Sequence, residues 1–179
     1  MDAAVTAVWG VVRVLSPGAV PEDAPDDLAG LLVVGNAGAP PADDGRVVAV
    51  PIDASATAAD AFATAIRWAP ASAGAVAWLD AMLPPPGIIA HLAACLGARD
   101  AVVVATPVSD AVKQVRDGLV LGGLARDGLC RPVAPVLVRA RVARERLVPA
   151  LDDGHDLFAA LGVAGCTVTV VAPGALAPG

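Results

Sequence analysis

The sequence has few charged residues, and only one of its basic residues, Lys113, is a lysine. Charged residues make up 17% of the 179 residues, and the formal net charge is −6. An acidic chain is poorly suited to nonspecific nucleic-acid binding, because that binding depends on neutralising phosphates. A few local arginines would still be enough to bind a small phosphorylated ligand. We therefore expect no nucleic-acid partner and keep a small phosphorylated ligand as an open alternative.

Long hydrophobic runs are also missing, although apolar residues make up 56% of the chain. The longest runs, such as residues 101–105, have the length of strands and fall short of the ~18 apolar residues that a membrane helix needs. No basic stretch precedes an apolar segment at the N-terminus, as a secretory signal would require. We expect a cytoplasmic protein without a membrane partner.

Familiar catalytic and metal-binding motifs are absent as well. The sequence contains no GxxxxGK[ST], GxGxxG or GxSxG motif. Its three cysteines, Cys95, Cys130 and Cys166, include no CxxC pair, so we expect buried free thiols. His91 and Cys95 are four residues apart on a predicted helix and could ligate a metal, but no second pair of ligands accompanies them.

Strand-sized apolar runs alternate with helical patterns along the chain. This alternation predicts one α/β domain over residues 1–179, with a three-layer, mostly parallel, doubly wound sheet. A helix is expected to begin at Thr57, with Asp60 in a capping position. The polar, glycine-bearing stretch of about 108–130 predicts a β arm that leaves the sheet. Strands are predicted at 6–15, 31–34, 47–50, 74–79, 101–105 and 166–171, and helices at 57–68, 84–96, 140–151 and 156–161.

Polar residues follow two of the predicted strands. Asp80 and the turn 106–110 come directly after strands, so we expect them at the carboxyl edge of the sheet, where open α/β sheets bind ligands. Asp80 could hold a divalent cation or a ribose hydroxyl there, or simply cap a turn. Lys113 and Arg126 could bind phosphate or be ordinary charges of an exposed hairpin. Four further arginines on a predicted helix are interpreted as a solvated face: Arg139, Arg141, Arg144 and Arg146.

The stretch 105–115 is similar to the central motif of the 2-C-methyl-D-erythritol 4-phosphate cytidylyltransferases, Pro-Val-Thr-Asp-Thr-(aliphatic)-Lys. Pro107, Val108, Asp110 and Lys113 match that motif, and Ser109 stands in place of its threonine. These enzymes join a methylerythritol phosphate to CMP from CTP in the synthesis of isoprenoid precursors. The resemblance implies a Rossmann-like nucleotidyltransferase fold.

The residues around this motif resemble the family in the same order. Asp80 stands where the family has His-Asp-Ala-Ala-Arg-Pro, although the His and the Arg are missing, and Arg126 stands where an Asp-Arg pair closes the arm. The resemblance implies that five residues contact the substrate, and that Asp80 would also hold Mg²⁺ if the protein is active. These five are Asp80, Ser109, Asp110, Lys113 and Arg126.

The resemblance fails at the N-terminus. The family opens with Ala-Ala-Gly-x-Gly-x-Arg and a following Pro-Lys, which hold the triphosphate. Here residues 7–13 take that place, so Arg13 is the residual catalytic candidate, Trp9 and Val11 replace the glycines, and no lysine follows. We expect Trp9 and Val11 to fill the triphosphate space. Because one preorganised donor alone contributes ~10²–10³ in rate, catalysis should be lost.

Three functions remain open from the sequence. The first is a noncatalytic relative that acts as a dimeric structural or regulatory protein, or binds a phosphorylated ligand without a cofactor. The second is an active cytidylyltransferase whose loop is rebuilt within residues 35–45, and the third is a different nucleotide-sugar transferase of the same fold. In the resembled family the arm crosses to the other subunit, which predicts a homodimer through residues 110–129.

Overall fold

The computed structural model describes residues 7–14, 24–35, 45–125 and 129–176. Within these ranges the chain forms nine strands and five α-helices, together with a π-helical turn (Ala143–Leu147) and a 3₁₀ turn (Pro173–Leu176). The strands are β1 (Val8–Val14), β2 (Gly30–Gly35), β3 (Val47–Pro51), β4 (Ala75–Asp80), β5 (Ala101–Pro107), β6 (Val112–Arg116), β7 (Leu119–Leu124), β8 (Cys130–Arg139) and β9 (Val168–Val171). The helices are α1 (Ala58–Trp68), α2 (Ile88–Leu96), α3 (Ala140–Val142), α4 (Val148–Asp152) and α5 (Leu157–Val163).

Seven strands form the main sheet, in the order β3-β2-β1-β4-β8-β5-β9. All of them except β8 run in the same direction, because β8 is antiparallel to both of its neighbours. The six parallel strands are the six predicted from the sequence, so the mostly parallel α/β fold is confirmed. We call the edge at which the parallel strands end the carboxyl edge, and the opposite one the amino edge.

Strand β8 was not predicted, because two prolines interrupt its apolar run. Proline donates no hydrogen bond to a sheet and argues against a central strand. The structure accommodates Pro135 by a bulge: Val103 pairs with Val136, but Val104 pairs with Val133. Ala134 and Pro135 are thereby left out of the pairing with β5.

Helices cover the main sheet on both faces, which confirms the three layers. On one face, α1 and the helices after β8 contribute Phe62, Ile66 and Leu147, all fully buried. The Phe62 ring lies 5.4 Å from that of Trp78 on β4. On the other face, α2 buries Ile89 and Leu92. Each such side chain contributes about 1.5–3 kcal/mol through the apolar surface that it removes from water.

Helices α1 and α5 begin at residues whose side chains cap them. Thr57 caps α1 and forms a reciprocal capping box with Asp60, as predicted. Asp156 accepts hydrogen bonds from the first backbone N–H groups of α5. The predicted end of this helix at Gly162 is wrong, because the helix continues to Val163 and stops before Gly165, which has a φ of +61°. Glycine in this left-handed conformation is a common helix terminator.

Three of the four arginines predicted to form a solvated face instead bind the ends of helices. Arg139 donates to the backbone oxygens of Gly97 and Arg99, just after α2. Arg144 donates to those of Ala69 and Pro70 after α1, at 3.1 and 2.7 Å. Arg146 donates to those of Ala164 and Gly165 after α5. Helix C-termini carry unpaired carbonyls and partial negative charge, so guanidinium groups stabilise them. Only Arg141 fits the solvated interpretation, being 82% exposed.

The expectation of buried thiols is also wrong. Cys130 is exposed at the start of β8, and Cys95 and Cys166 are only partly buried. Cys95 Sγ lies 3.6 Å from His91 Nε2 on α2. No helix in the described part of the chain is long and apolar enough to cross a membrane.

Candidate functional site

The carboxyl edge brings together three parts of the chain predicted to carry function. Arg13 lies near the end of β1, and Asp80 ends the neighbouring strand β4, paired with Val12. The turn 106–110 begins at the end of β5, which runs parallel to β4 on the other side of β8. The prediction that Asp80 and this turn share one edge is therefore confirmed.

Arg13 is engaged with the protein backbone. It follows the buried Val11 by two positions on β1, and residues two apart in a strand share a face. Since Val11 packs with residues of α1, the Arg13 side chain also lies on the α1 side of the sheet. There its Nη2 donates to the backbone oxygen of Ala56, at 2.6 Å, in the loop before α1. The pKa of Asp60 is lowered chiefly by the hydrogen bonds from Thr57, with a smaller contribution from the Arg13 charge. The guanidinium thus fixes the β3–α1 loop.

Asp80 has an unusual backbone conformation. Its φ is +60°, in the left-handed region, which is uncommon for residues other than glycine and least unfavourable for Asn and Asp. Its side chain is exposed at the end of the strand. Among the described residues, no three His, Cys, Asp or Glu side chains converge as a metal site. A single carboxylate can hold Mg²⁺ only together with the phosphates of a bound ligand.

The arm, residues 108–129, carries the remaining candidates. Ser109 and Asp110 are exposed between β5 and β6, and Lys113 is exposed on β6. The Lys113 ammonium lies 3.9 Å from where a Cβ atom at Gly123 would be, so this side chain reaches across to β7. Arg126 and part of the rebuilt-loop alternative, residues 36–44, lie outside the described residues. Contact of these side chains with a substrate stays a prediction.

The expected position of Trp9 and Val11 is wrong. Both belong to β1, upstream of its carboxyl end, and Val11 is fully buried in the core beneath α1. Trp9 packs over Gly30 at the amino end of the sheet, where a Cβ atom at Gly30 would lie 2.6 Å from its ring. The expectation failed because it matched these two residues to the glycine-rich loop of the resembled family, whereas both lie within a strand. Neither side chain can fill a phosphate site at the carboxyl edge.

Strands β6 and β7 form a separate two-stranded sheet. Every residue of these strands is exposed except the partly buried Val112. Five apolar side chains are 46–69% exposed: Val115, Leu119, Val120, Leu121 and Leu124. The apolar nature of the β7 leucines is visible in the sequence, but only the structure reveals that no described part of the chain covers them.

Comparison with known proteins identifies the fold. No family model and no curated protein matches the sequence. Solved structures do match: the 4-diphosphocytidyl-2C-methyl-D-erythritol synthase of Anaerococcus prevotii has a TM-score of 0.70 at 13% identity, covering 96% of this chain and 90% of its own. The 2-C-methyl-D-erythritol 4-phosphate cytidylyltransferase of Thermus thermophilus has a TM-score of 0.67 at 18% identity, covering 94% and 90%. The enzyme of the same name from Francisella tularensis has the same score and identity, covering 93% and 90%.

Proposed function

We propose that this chain is a cytidylyltransferase-like protein that has lost nucleotidyl transfer and acts as a dimeric structural or regulatory protein. Its fold is that of the methylerythritol phosphate cytidylyltransferases, at identities of 13–18%. Nucleotidyl transfer depends mostly on positioning the phosphates and neutralising their charge. The carboxyl edge of this chain is poorly equipped for that task.

The connections that leave β1 to β4 carry the proposal. They comprise residues 15–29, 36–46, 52–57 and 81–87, and whatever their conformation they contain seven acidic residues but one basic residue, Arg46. Arg46 directly precedes β3 at the amino edge, where its Nη2 donates to the backbone oxygens of Pro25 and Leu28, at 3.1 and 2.7 Å. These connections therefore offer a triphosphate little positive charge.

Arg13 does not compensate for this deficit. Its guanidinium donates to Ala56, and turning it toward a phosphate would give up that hydrogen bond. The other cations near this edge, such as Lys113 and Arg116, belong to the exposed arm. They support a role for the arm in contacts with another molecule rather than in a preorganised phosphate site.

The exposed arm supports dimerisation. A two-stranded hairpin is marginally stable alone in water, and this one leaves five large apolar side chains exposed. Its charge also differs from the rest of the chain: residues 108–129 carry three basic and three acidic residues, whereas the remainder carries nine and fifteen. An arm placed on a second copy would bury its apolar side chains and bring its cations to a more acidic surface.

Two measurements test the proposal. We expect no pyrophosphate release from CTP with Mg²⁺ and methylerythritol phosphate; release at the rate of an active cytidylyltransferase run in parallel would contradict the loss of transfer. We also expect light scattering at micromolar concentration to give twice the 17.6 kDa mass of one chain. Deleting residues 117–123 should reduce the mass to that of a monomer. A monomeric wild-type protein would rule out the dimer and leave the enzymatic question open.

A further inference from the structure

Helix α2 carries two side chains of the metal-binding type, one turn apart. His91 and Cys95 are four residues apart on this helix, a spacing that makes their side chains neighbours. His91 is exposed, and Cys95 is partly buried where α2 packs on the sheet. Both groups therefore reach the surface of the described part of the chain, and neither belongs to the carboxyl-edge site.

The distance between the two candidate ligand atoms fits a tetrahedral metal ion. Cys95 Sγ lies 3.6 Å from His91 Nε2, within hydrogen-bonding range for sulfur. Zn²⁺ binds a thiolate at about 2.3 Å and an imidazole nitrogen at about 2.0–2.1 Å, and at a tetrahedral angle these bonds place sulfur and nitrogen about 3.6 Å apart. The separation of the two atoms therefore needs little change to accept such an ion.

The chemistry of the pair selects the class of ion. Thiolate and imidazole are ligands of borderline-soft cations such as Zn²⁺, whereas Mg²⁺ and Ca²⁺ prefer oxygen. Cys95 would bind as the thiolate and release its proton to solvent. Among the residues that the structure describes, no third His, Cys, Asp or Glu side chain joins the pair in a metal-binding group. The remaining coordination positions therefore fall to water.

We propose that His91 and Cys95 form a two-ligand site for a borderline-soft divalent cation, with water completing the coordination. This inference goes beyond the proposed function, because it depends neither on the dimer nor on the loss of nucleotidyl transfer. It is also distinct from the Mg²⁺ expected at Asp80, which offers only carboxylate oxygens. Most zinc sites have three or four protein ligands, so an ion held by two should exchange with solution and be removed by a chelator.

Alkylation by iodoacetamide, followed by mass spectrometry at each cysteine, tests the site. The free thiolate is the nucleophile, so a metal ion on the sulfur protects it from the reagent. We expect Zn²⁺ to slow the reaction of Cys95 at least about tenfold, and a chelator to restore the original rate. Mg²⁺ should give no protection. Cys130, which is exposed at the start of β8, is the internal control and should slow by less than about twofold.

The only two histidines of the chain provide matched variants. His91→Ala removes one ligand from an exposed helix position, where alanine favours the helix, so the protein should still fold. We expect this variant to reduce the Zn²⁺ protection of Cys95 to less than about twofold, whereas His155→Ala should retain it. Protection that persists in His91→Ala, that is equal at Cys130, or that Mg²⁺ also provides would overturn the proposed site.

Binding of Co²⁺ gives a direct signal from the sulfur ligand, because a thiolate bound to cobalt produces a charge-transfer absorption. In a Cys130→Ser background, which removes the exposed thiol, we expect one Co²⁺ per chain with this absorption and its loss in Cys95→Ser. Absorption that persists in Cys95→Ser would place the ion elsewhere and overturn the site. One ion per two chains would mean that two copies share it, and would contradict coordination completed by water.

Discussion

At the amino edge of the main sheet, four arginines donate to backbone carbonyls: Arg46, Arg139, Arg144 and Arg146. At the carboxyl edge, Asp53 is exposed just after β3, and Arg13 donates to the backbone oxygen of Ala56 and so holds the loop before α1. In open α/β sheets the carboxyl edge is where ligands bind. This chain thus uses its few cations mainly where they fasten secondary structure.

Under the proposed function, the arginines of this chain serve stability rather than phosphate binding. Three helices run back to the amino edge and end there, and an arginine from β8 or the helical segment after it holds each end. Such contacts stabilise the ends of the helices and thereby the fold. The account therefore predicts that removing amino-edge arginines affects stability, and that no carboxyl-edge arginine is essential for phosphate binding.

The largest effect is expected for Arg146→Ala. Arg146 joins the end of α5 to Asp100, which lies 3.4 Å from its Nη1 just before β5. Hydrogen bonds with a charged partner contribute about 1.5–3 kcal/mol, so we expect urea unfolding to show a loss of about 2–3 kcal/mol. Arg141→Ala is the matched control: its contact with Glu145 is 3.8 Å and exposed, and its loss should change stability by less than about 0.5 kcal/mol. Equal effects of the two variants would break the comparison.

Asp100 makes the same region sensitive to acid. The pKa of its carboxyl is lowered from 3.8, chiefly because the Thr167 backbone N–H donates to it, with smaller contributions from the Thr167 hydroxyl and Arg146. A lowered pKa in the folded state stabilises the protein above the unfolded pKa, and this stability is lost as the pH falls through the folded pKa. Asp100→Asn should therefore lower stability at pH 7 by about 1 kcal/mol and reduce the difference between pH 7 and pH 3. An unchanged difference would show that Asp100 is not the linked group.

Arg13→Ala should have an effect no larger than that of Asp100→Asn. It removes one hydrogen bond, to Ala56, and we expect a loss of about 1 kcal/mol in thermal or urea unfolding. Binding of phosphorylated compounds should not change. If stability is unaffected while binding of inorganic pyrophosphate is lost, Arg13 is a ligand residue and the contrast between the two edges disappears.

The sequence predicted the elements that are specified by residues close together in the chain. Apolar runs bounded by turns revealed the six parallel strands, and Thr57 with Asp60 revealed the start of α1. Strand β8 was missed because its two prolines argue against a central strand. Only the pairing with β5 shows that a bulge accommodates Pro135. The arginine contacts were missed for a different reason: Arg144 reaches carbonyls 74 and 75 residues away, and backbone carbonyls have no sequence signature.

The site was predicted only in part. The carboxyl-edge positions of Asp80 and the turn 106–110 followed from the order of strands. The expectation that Trp9 and Val11 fill a phosphate site was wrong, because both residues lie within β1. The scarcity of basic residues in the connections after β1 to β4, where Arg46 is the one present, is visible in the sequence. Only the strand order shows that these connections begin at the carboxyl edge.

Calorimetric titration of the wild-type protein with CTP in excess Mg²⁺ tests the central claim most directly. The proposed function predicts a dissociation constant weaker than about 1 mM, because the connections after β1 to β4 contain one basic residue and seven acidic ones. The Thermus thermophilus enzyme, titrated under the same conditions, serves as the reference. A micromolar dissociation constant for this chain would contradict the proposed function. The protein would then bind the nucleotide tightly although the connections after β1 to β4 contain only one basic residue, Arg46.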